Sequence, residues 1–212
     1  MLLTIRKFIM TVTIKYQSQF SNDTLTSYTK QWATDHGDIK DTGAEGYSKD
    51  FGQFAGGGWF DGTQYSVGSS HSDASTAMIV EGELKYSFMP QHTFYGKIDS
   101  LELGNNLIEN SNGIGRQLNS LQLKMSDLDI TGEFDINKTM AENHQGDMHK
   151  SIYGLMRGNA DPLLEVFTAK GINVNTPLKD MAIASQFEAM ASDMPMIDTV
   201  GVVESSDMLL AA

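Results

Sequence analysis

AMIVEGELKYSFMPQHTFYGKIDSLEL, running from Ala77 to Leu103, is the stretch that decides the fold. Ala77 to Phe88 and His92 to Leu103 are both rich in β-branched, aromatic and alternating residues, so each reads as a strand. The connection between them is short and carries Pro90, and only antiparallel strands can be joined so tightly. Outward from this hairpin, Gln64 to Gly68 precedes it as a further strand. Leu118 to Phe134 follows it, with Leu121, Leu123, Met125, Leu128 and Ile130 alternating with polar positions. Near the N-terminus, Thr11 to Tyr16 alternates in the same way. The pattern predicts an antiparallel sheet with one face packed and one face wet.

The flanks change period. Leu25, Tyr28, Trp32 and Ala33 fall near i, i+3, i+7 and i+8, one face of a helix, with N-caps offered by Ser21, Asn22 and Asp23 and a stop at Gly37. Residues 37–62 hold eight Gly and read as a loop set with Phe51, Phe54, Trp59 and Phe60. In the last third, Ile152, Leu155 and Met156 form one helical stripe. Asp161-Pro162 opens a second, with Leu163, Leu164, Val166 and Phe167, because proline suits the first helical position. Thr176-Pro177 is expected to start a third helix with Leu178, Met181, Ala182 and Ala184. Strands first and helices after, without βαβ alternation, give an α+β fold. At 212 residues, 40% of them hydrophobic, one domain is expected.

Composition excludes several chemistries. The chain has 15 Lys+Arg against 27 Asp+Glu, a formal charge of −12. Without a basic tract it suits neither nucleic acid nor an anionic membrane surface, both of which are bound through Lys and Arg. Zero Cys removes disulfides, thiolate nucleophiles and Cys-ligated zinc or iron–sulfur clusters. No window approaches 18 apolar residues, so no membrane-spanning helix and no membrane insertion is expected. Arg6 and Lys7 interrupt the apolar start MLLTIRKFIM and no A-x-A follows, so no cleaved signal peptide is read.

The motifs are sparse. His144 and His149 are five apart, which on one helix sets them roughly 140° off a common face, so a zinc site of a metallohydrolase is disfavoured. Gly56-Gly57-Gly58 lacks the Lys of a phosphate loop and reads as a turn. The pair Tyr86 and His92 is the informative one. If the five residues between them form a symmetric hairpin loop, the two face each other across the strands with Cβ atoms about 5 Å apart. An imidazole that accepts the phenolic proton turns a phenol of ordinary pKa about 10 into a strong donor to ferric iron. Tyrosine is a known heme ligand, and Phe88 and Met89 between the two would suit a porphyrin face. From spacing alone, a cross-strand packing pair in a secreted, acidic structural or adhesive β protein without a cofactor stands beside that reading.

A wider set of residues carries a resemblance. Gln31-Trp32-Ala33 with Gly37-Asp38, Gly62-Thr63-Gln64-Tyr65, Tyr86 with Pro90 and His92-Thr93-Phe94-Tyr95-Gly96, His149 with Tyr153-Gly154-Leu155-Met156, and the Leu209-Leu210-Ala211-Ala212 terminus together resemble the secreted hemophores of the HasA type from Gram-negative bacteria. The resemblance covers nearly the whole chain from Met10. It implies a curved antiparallel sheet with helices on one side and heme held between two loops at one end. It makes Tyr86 the axial ligand of ferric heme b and His92 its hydrogen-bond partner, with Tyr65, His149, Tyr153 and Met156 lining the pocket. Where the family commonly supplies a distal histidine, this chain has Asp41, followed by Thr42. Asp41 is a hard oxygen donor rarely used for heme iron, so no strong distal ligand is expected. His36, five residues earlier, would substitute only if the loop folded back.

The same resemblance implies a carrier rather than an enzyme, located outside the cell. Host hemoproteins would supply the heme and an outer-membrane HasR-type receptor would take it. Export would use a type I secretion system reading residues 200–212 as an uncleaved C-terminal segment. Residues 10–199 would form the hemophore domain, and residues 1–9 a leader or a mis-assigned start.

Overall fold

The structure, a computed structural model, describes residues 12–41 and 49–187. Seven strands form one sheet in the order β2-β3-β4-β5-β6-β1-β7. β1 is Thr13–Tyr16, β2 Gln53–Ala55, β3 Asp61–Gly68, β4 Thr76–Ser87, β5 Thr93–Glu109, β6 Arg116–Gly132 and β7 Ala184–Gln186. Every pairing is antiparallel except β1 with β7, which is parallel. The sheet is therefore mixed, within the α+β class. Both edge strands, β2 and β7, are three residues long.

The two 17-residue strands β5 and β6 and the 12-residue β4 form the centre. Their ladders slip at Glu81/Gly82, Ile98/Ser100 and Leu103/Gly104. Such bulges bend a strand and sharpen its twist, which curves the sheet. Gly82 sits at φ +152°, and a Cβ there would lie 2.1 Å from the Lys97 carbonyl oxygen, so only glycine permits this bend.

The helices are α1 Leu25–His36, α2 Met140–Asn143, α3 Asp147–Met156 and α4 Asp161–Ala169. α1 buries Leu25, Tyr28, Trp32 and Ala33, the face its period predicts. Its cap is Thr24 rather than any of the three residues before it, in a capping box with Ser27. α3 and α4 bury Ile152, Leu155, Leu163 and Phe167 into the same core as Ile14, Met78, Leu123 and Met125. The Trp32 indole Nε1 donates to the Gly104 carbonyl at 3.2 Å, pinning α1 to the central bulge.

Two sequence expectations change. The glycine-rich segment contains β2, because Phe54 pairs with Tyr65 and brings an aromatic side chain over the site. The third C-terminal helix is only a single 3₁₀ turn, Leu178–Asp180, after which the chain enters β7. Ile14 N–H donates to the Ile183 carbonyl at 2.8 Å, so the open edge of β1 captures this segment and overrides its helical period.

Candidate functional site

The hairpin of β4 and β5 places the key pair, though not by the register expected. Tyr86 lies opposite Phe94 and Ser87 opposite Thr93, so His92 is the last residue of the turn and not a strand partner of Tyr86. His92 stands at φ +49° in the left-handed region, a conformation few side chains adopt. The turn brings its Nδ1 to 3.2 Å from the Tyr86 Oη. The contact inferred from cross-strand geometry is present, but a bent turn makes it.

Tyr86 is half-buried and its ring packs on Phe94 at 4.7 Å between centroids. Burial raises the phenol pKa above its usual value, and the Tyr153 hydroxyl adds to the effect. The phenol therefore holds its proton, which it can donate to His92 Nδ1 when that nitrogen is the unprotonated one of the ring.

Around this pair lies a cavity of about 580 Å³ at one end of the sheet. Phe51, Phe54, Trp59 and Phe60 come from the segment before and around β2, Phe88 and His92 from the β4–β5 turn, and Met140, His144, His149, Tyr153 and Met156 from the helices. A groove of about 680 Å³ elsewhere is lined by Thr63, Gln64, Glu81, Asp99, Ser100 and Asn110, a polar set. Only the first cavity combines an aromatic wall with a few convergent polar groups, the usual build of a small-molecule site.

Tyr65 forms the floor. Its hydroxyl is buried, donates to the Phe51 carbonyl at 2.7 Å and lies 3.6 Å from the Met156 sulfur. Burial, then the charge of Asp50, then Tyr86 push its pKa well above 10. Gly52, at φ +71°, passes so close that a Cβ would sit 2.6 Å from the Tyr65 ring. Phe88 stacks on Phe60, 5.0 Å apart and 5° from parallel. Met89 is 70% exposed and does not line the cavity.

The described residues on either side of 42–48 are tied down by polar contacts. The Asp50 carboxylate accepts from the N–H groups of Gly52 and Gly68, and Ser69 Oγ donates to the His36 carbonyl at 2.6 Å. Asp38 pairs with Arg157 at the end of α3. Asp41 is exposed and does not line the cavity, while Thr42 lies outside the described residues. His36 is buried, stacked on Trp32 at 4.5 Å and hydrogen-bonded through Nδ1 to Thr76 Oγ1 at 3.2 Å. It is committed to the α1–β4 junction and not available as a distal ligand.

His144 and His149 do converge, against the spacing argument. The helix is interrupted between α2 and α3, so they do not share one helix, and their rings stack at 3.9 Å and 16°. Among the described residues no group of three His, Cys, Asp or Glu could hold a metal ion. His149 is 3% exposed and accepts the Phe94 N–H on Nδ1 at 3.2 Å. Burial first, and His144 beside it, lower its pKa from 6.5 to about 3, so it is neutral.

Sequence reasoning missed Phe51, Phe54, Trp59 and Phe60 as lining residues, along with Ile39, Lys40, Lys49, Phe94, Met140 and His144. The aromatic spacing of the glycine-rich segment was the available signal for the first four. Nothing local marked the others.

The model of the family described as heme-binding protein A (HasA) matches residues 10–212. This chain belongs to the HasA family. The hemophore HasA of Serratia marcescens is 29% identical over 192 residues, covering 88% of this chain and 97% of that protein. Solved structures of HasA from Yersinia pestis, one apo and one holo, are each 52% identical with a TM-score of 0.79, covering 84% of this chain and 99% of theirs. A HasA variant monomer from Yersinia pseudotuberculosis is 51% identical with the same TM-score and coverage. The curved sheet backed by helices in this HasA-family chain matches those structures, and the family assignment favours a heme-binding carrier over an acidic structural protein.

Proposed function

We propose that this HasA-family chain is an extracellular hemophore in which Tyr86 ligates ferric heme b. The observation that carries the reading is the Tyr86 hydroxyl, 3.2 Å from His92 Nδ1 at the wall of an aromatic cavity of about 580 Å³. A protonated phenol binds iron poorly. In this reading His92 takes the proton as the ligand bond forms, and the anionic oxygen matches the charge of Fe(III). Tyr65, Phe88, His149, Tyr153 and Met156 supply the apolar and aromatic surface against the macrocycle, with Phe54 and Phe60 added by the fold. Met89 contributes at most from the rim. Neither Asp41 nor His36 lines the cavity, so among the described residues Tyr86 is the only protein ligand this reading invokes.

The reading is of a carrier, which the family's description as a heme-binding protein supports. The chain would take heme from host hemoproteins and pass it to an outer-membrane HasR-type receptor. Export by type I machinery through residues 200–212, which lie outside the described residues, completes the proposal.

The test is to mix heme-free protein with ferric heme and record absorption and electron-spin spectra beside Tyr86→Ala. A one-to-one tyrosinate signature that the variant lacks supports the reading. Identical spectra from both proteins would remove it.

A further inference from the structure

The heme-binding reading uses His149 only as pocket wall and leaves unused what the stacked pair of His144 and His149 does to the main chain beneath the β4–β5 turn. Each grips main chain, and the two grips fall on either side of His92. His144 Nε2 donates to the Gln91 carbonyl at 2.8 Å, and the Phe94 N–H donates to His149 Nδ1 at 3.2 Å. Gln91 is tied again through its side chain. Its Nε2 donates to the Lys138 carbonyl at 2.7 Å, and its Oε1 accepts from Asn143 Nδ2. Asn143 is itself fixed to Asp135, whose N–H and carbonyl both bond to the Asn143 side chain.

His92, by contrast, is exposed, and the side-chain hydrogen bond it makes is to Tyr86. It also occupies the left-handed backbone region, which a non-glycine residue keeps only when its surroundings over-determine it. The over-determination is visible in the neighbours, since the main chain of residues 91 and 94 is gripped on either side while His92 itself, among the described residues, touches Tyr86 and Phe88 through its ring. The rings that hold them are themselves braced by their 3.9 Å stack, so neither can swing without the other.

We propose that the His144–His149 stack and Gln91 form a positioning clamp that fixes the chain on both sides of His92 and so holds its imidazole against Tyr86. The proposal rests on reading Tyr86 as the heme ligand. The clamp touches neither the phenol nor the iron; it acts through His92.

The experiment compares heme loss from holo protein to excess apomyoglobin for Gln91→Ala and His144→Phe, each alone and combined with His92→Ala. His144→Phe keeps an aromatic face on His149 while removing the donor to Gln91, so it remains informative if Gln91→Ala fails to fold. Each single variant is expected to lose heme roughly three- to ten-fold faster, the scale of one hydrogen bond. In the His92→Ala background the same changes should add less than about two-fold, because the residue the clamp serves is gone. Unchanged rates, or equal acceleration with and without His92, would overturn the clamp. In heme-free protein, the nitrogen resonances of His92 should lose their hydrogen-bonded signature in His144→Phe, and an unaltered signature would also overturn it. If the unsubstituted protein takes up no heme, the binding reading fails on its own, and these resonances still decide the clamp.

Discussion

Tyr86 and His92 are hydrogen-bonded without being strand partners: the phenol oxygen lies 3.2 Å from Nδ1, while the residue opposite Tyr86 is Phe94. The ligand candidate is thus carried on a rigid strand end and its proton acceptor on a turn. The two can be perturbed separately.

Replacing His92 by Ala should weaken heme binding about 10- to 100-fold, as loss of a partner to a metal ligand commonly does. The variant should also release close to one proton to solvent per heme bound, where the unsubstituted protein releases less. Calorimetry in buffers of different ionisation enthalpy reads this directly. Equal proton release from both proteins would remove His92 as acceptor.

Phe94 is buried and touches Tyr65 at 5.1 Å and Tyr86 at 4.7 Å between ring centroids. Phe94→Ala should cost about 3–5 kcal/mol of stability by leaving a cavity under the ligand. Phe60→Ala, at the exposed rim, should cost under about 1 kcal/mol while still weakening heme binding. Urea unfolding of the two heme-free variants separates floor from rim.

Acid should destabilise the fold through two histidines. Burial lowers the pKa of His36 to about 4, against smaller upward effects of Asp50 and Thr76, and that of His149 to about 3. Both are neutral in the folded chain, whereas the unfolded chain protonates them below about pH 6.5. Their contribution is complete above that pH and is lost as pH falls through 4 and 3, at up to about 1.4 kcal/mol per pH unit for each. Stability measured from pH 7 to 4 should fall less steeply in His36→Asn than in the unsubstituted protein.

Lys40 and Lys49 line the cavity of a chain whose net charge is −12, and Lys40 Nζ lies 5.9 Å from the Tyr153 ring centroid. Among the described residues that line the cavity, they are the lysines within reach of heme carboxylates. Changing both to Ala should lower affinity for heme by less than about ten-fold, given exposed ion pairs of about 0.2–1 kcal/mol each. Affinity for the dimethyl ester of heme should be unchanged. An equal loss for both ligands would point to packing instead.

The strands of the hairpin and the inward face of α1 were legible because period and burial agree there: Met78, Val80, Leu101 and Leu103 all reach the core. The helix begun at Thr176-Pro177 was not, since its Leu178 and Met181 satisfy a helical period and a short turn equally, and the free edge of β1 decides. The pairing of Tyr86 with His92 was legible as a contact but not as a register, because residue 92 turns back through a positive φ that no composition rule predicts. His144 and His149 could be placed only once the break after α2 was known. The walls of the cavity from Ile39, Lys40 and Lys49 depend on where the chain after α1 returns, which local sequence does not encode.

Both margins of the sheet end in strands three residues long. A margin that short presents only a rung or two of unpaired N–H and C=O groups, too few for another chain to extend the ladder. A protein that must carry an open aromatic mouth, with Trp59 93% exposed, gains from this. Among the described residues, the sheet therefore offers a neighbouring copy almost no backbone on which to add strands.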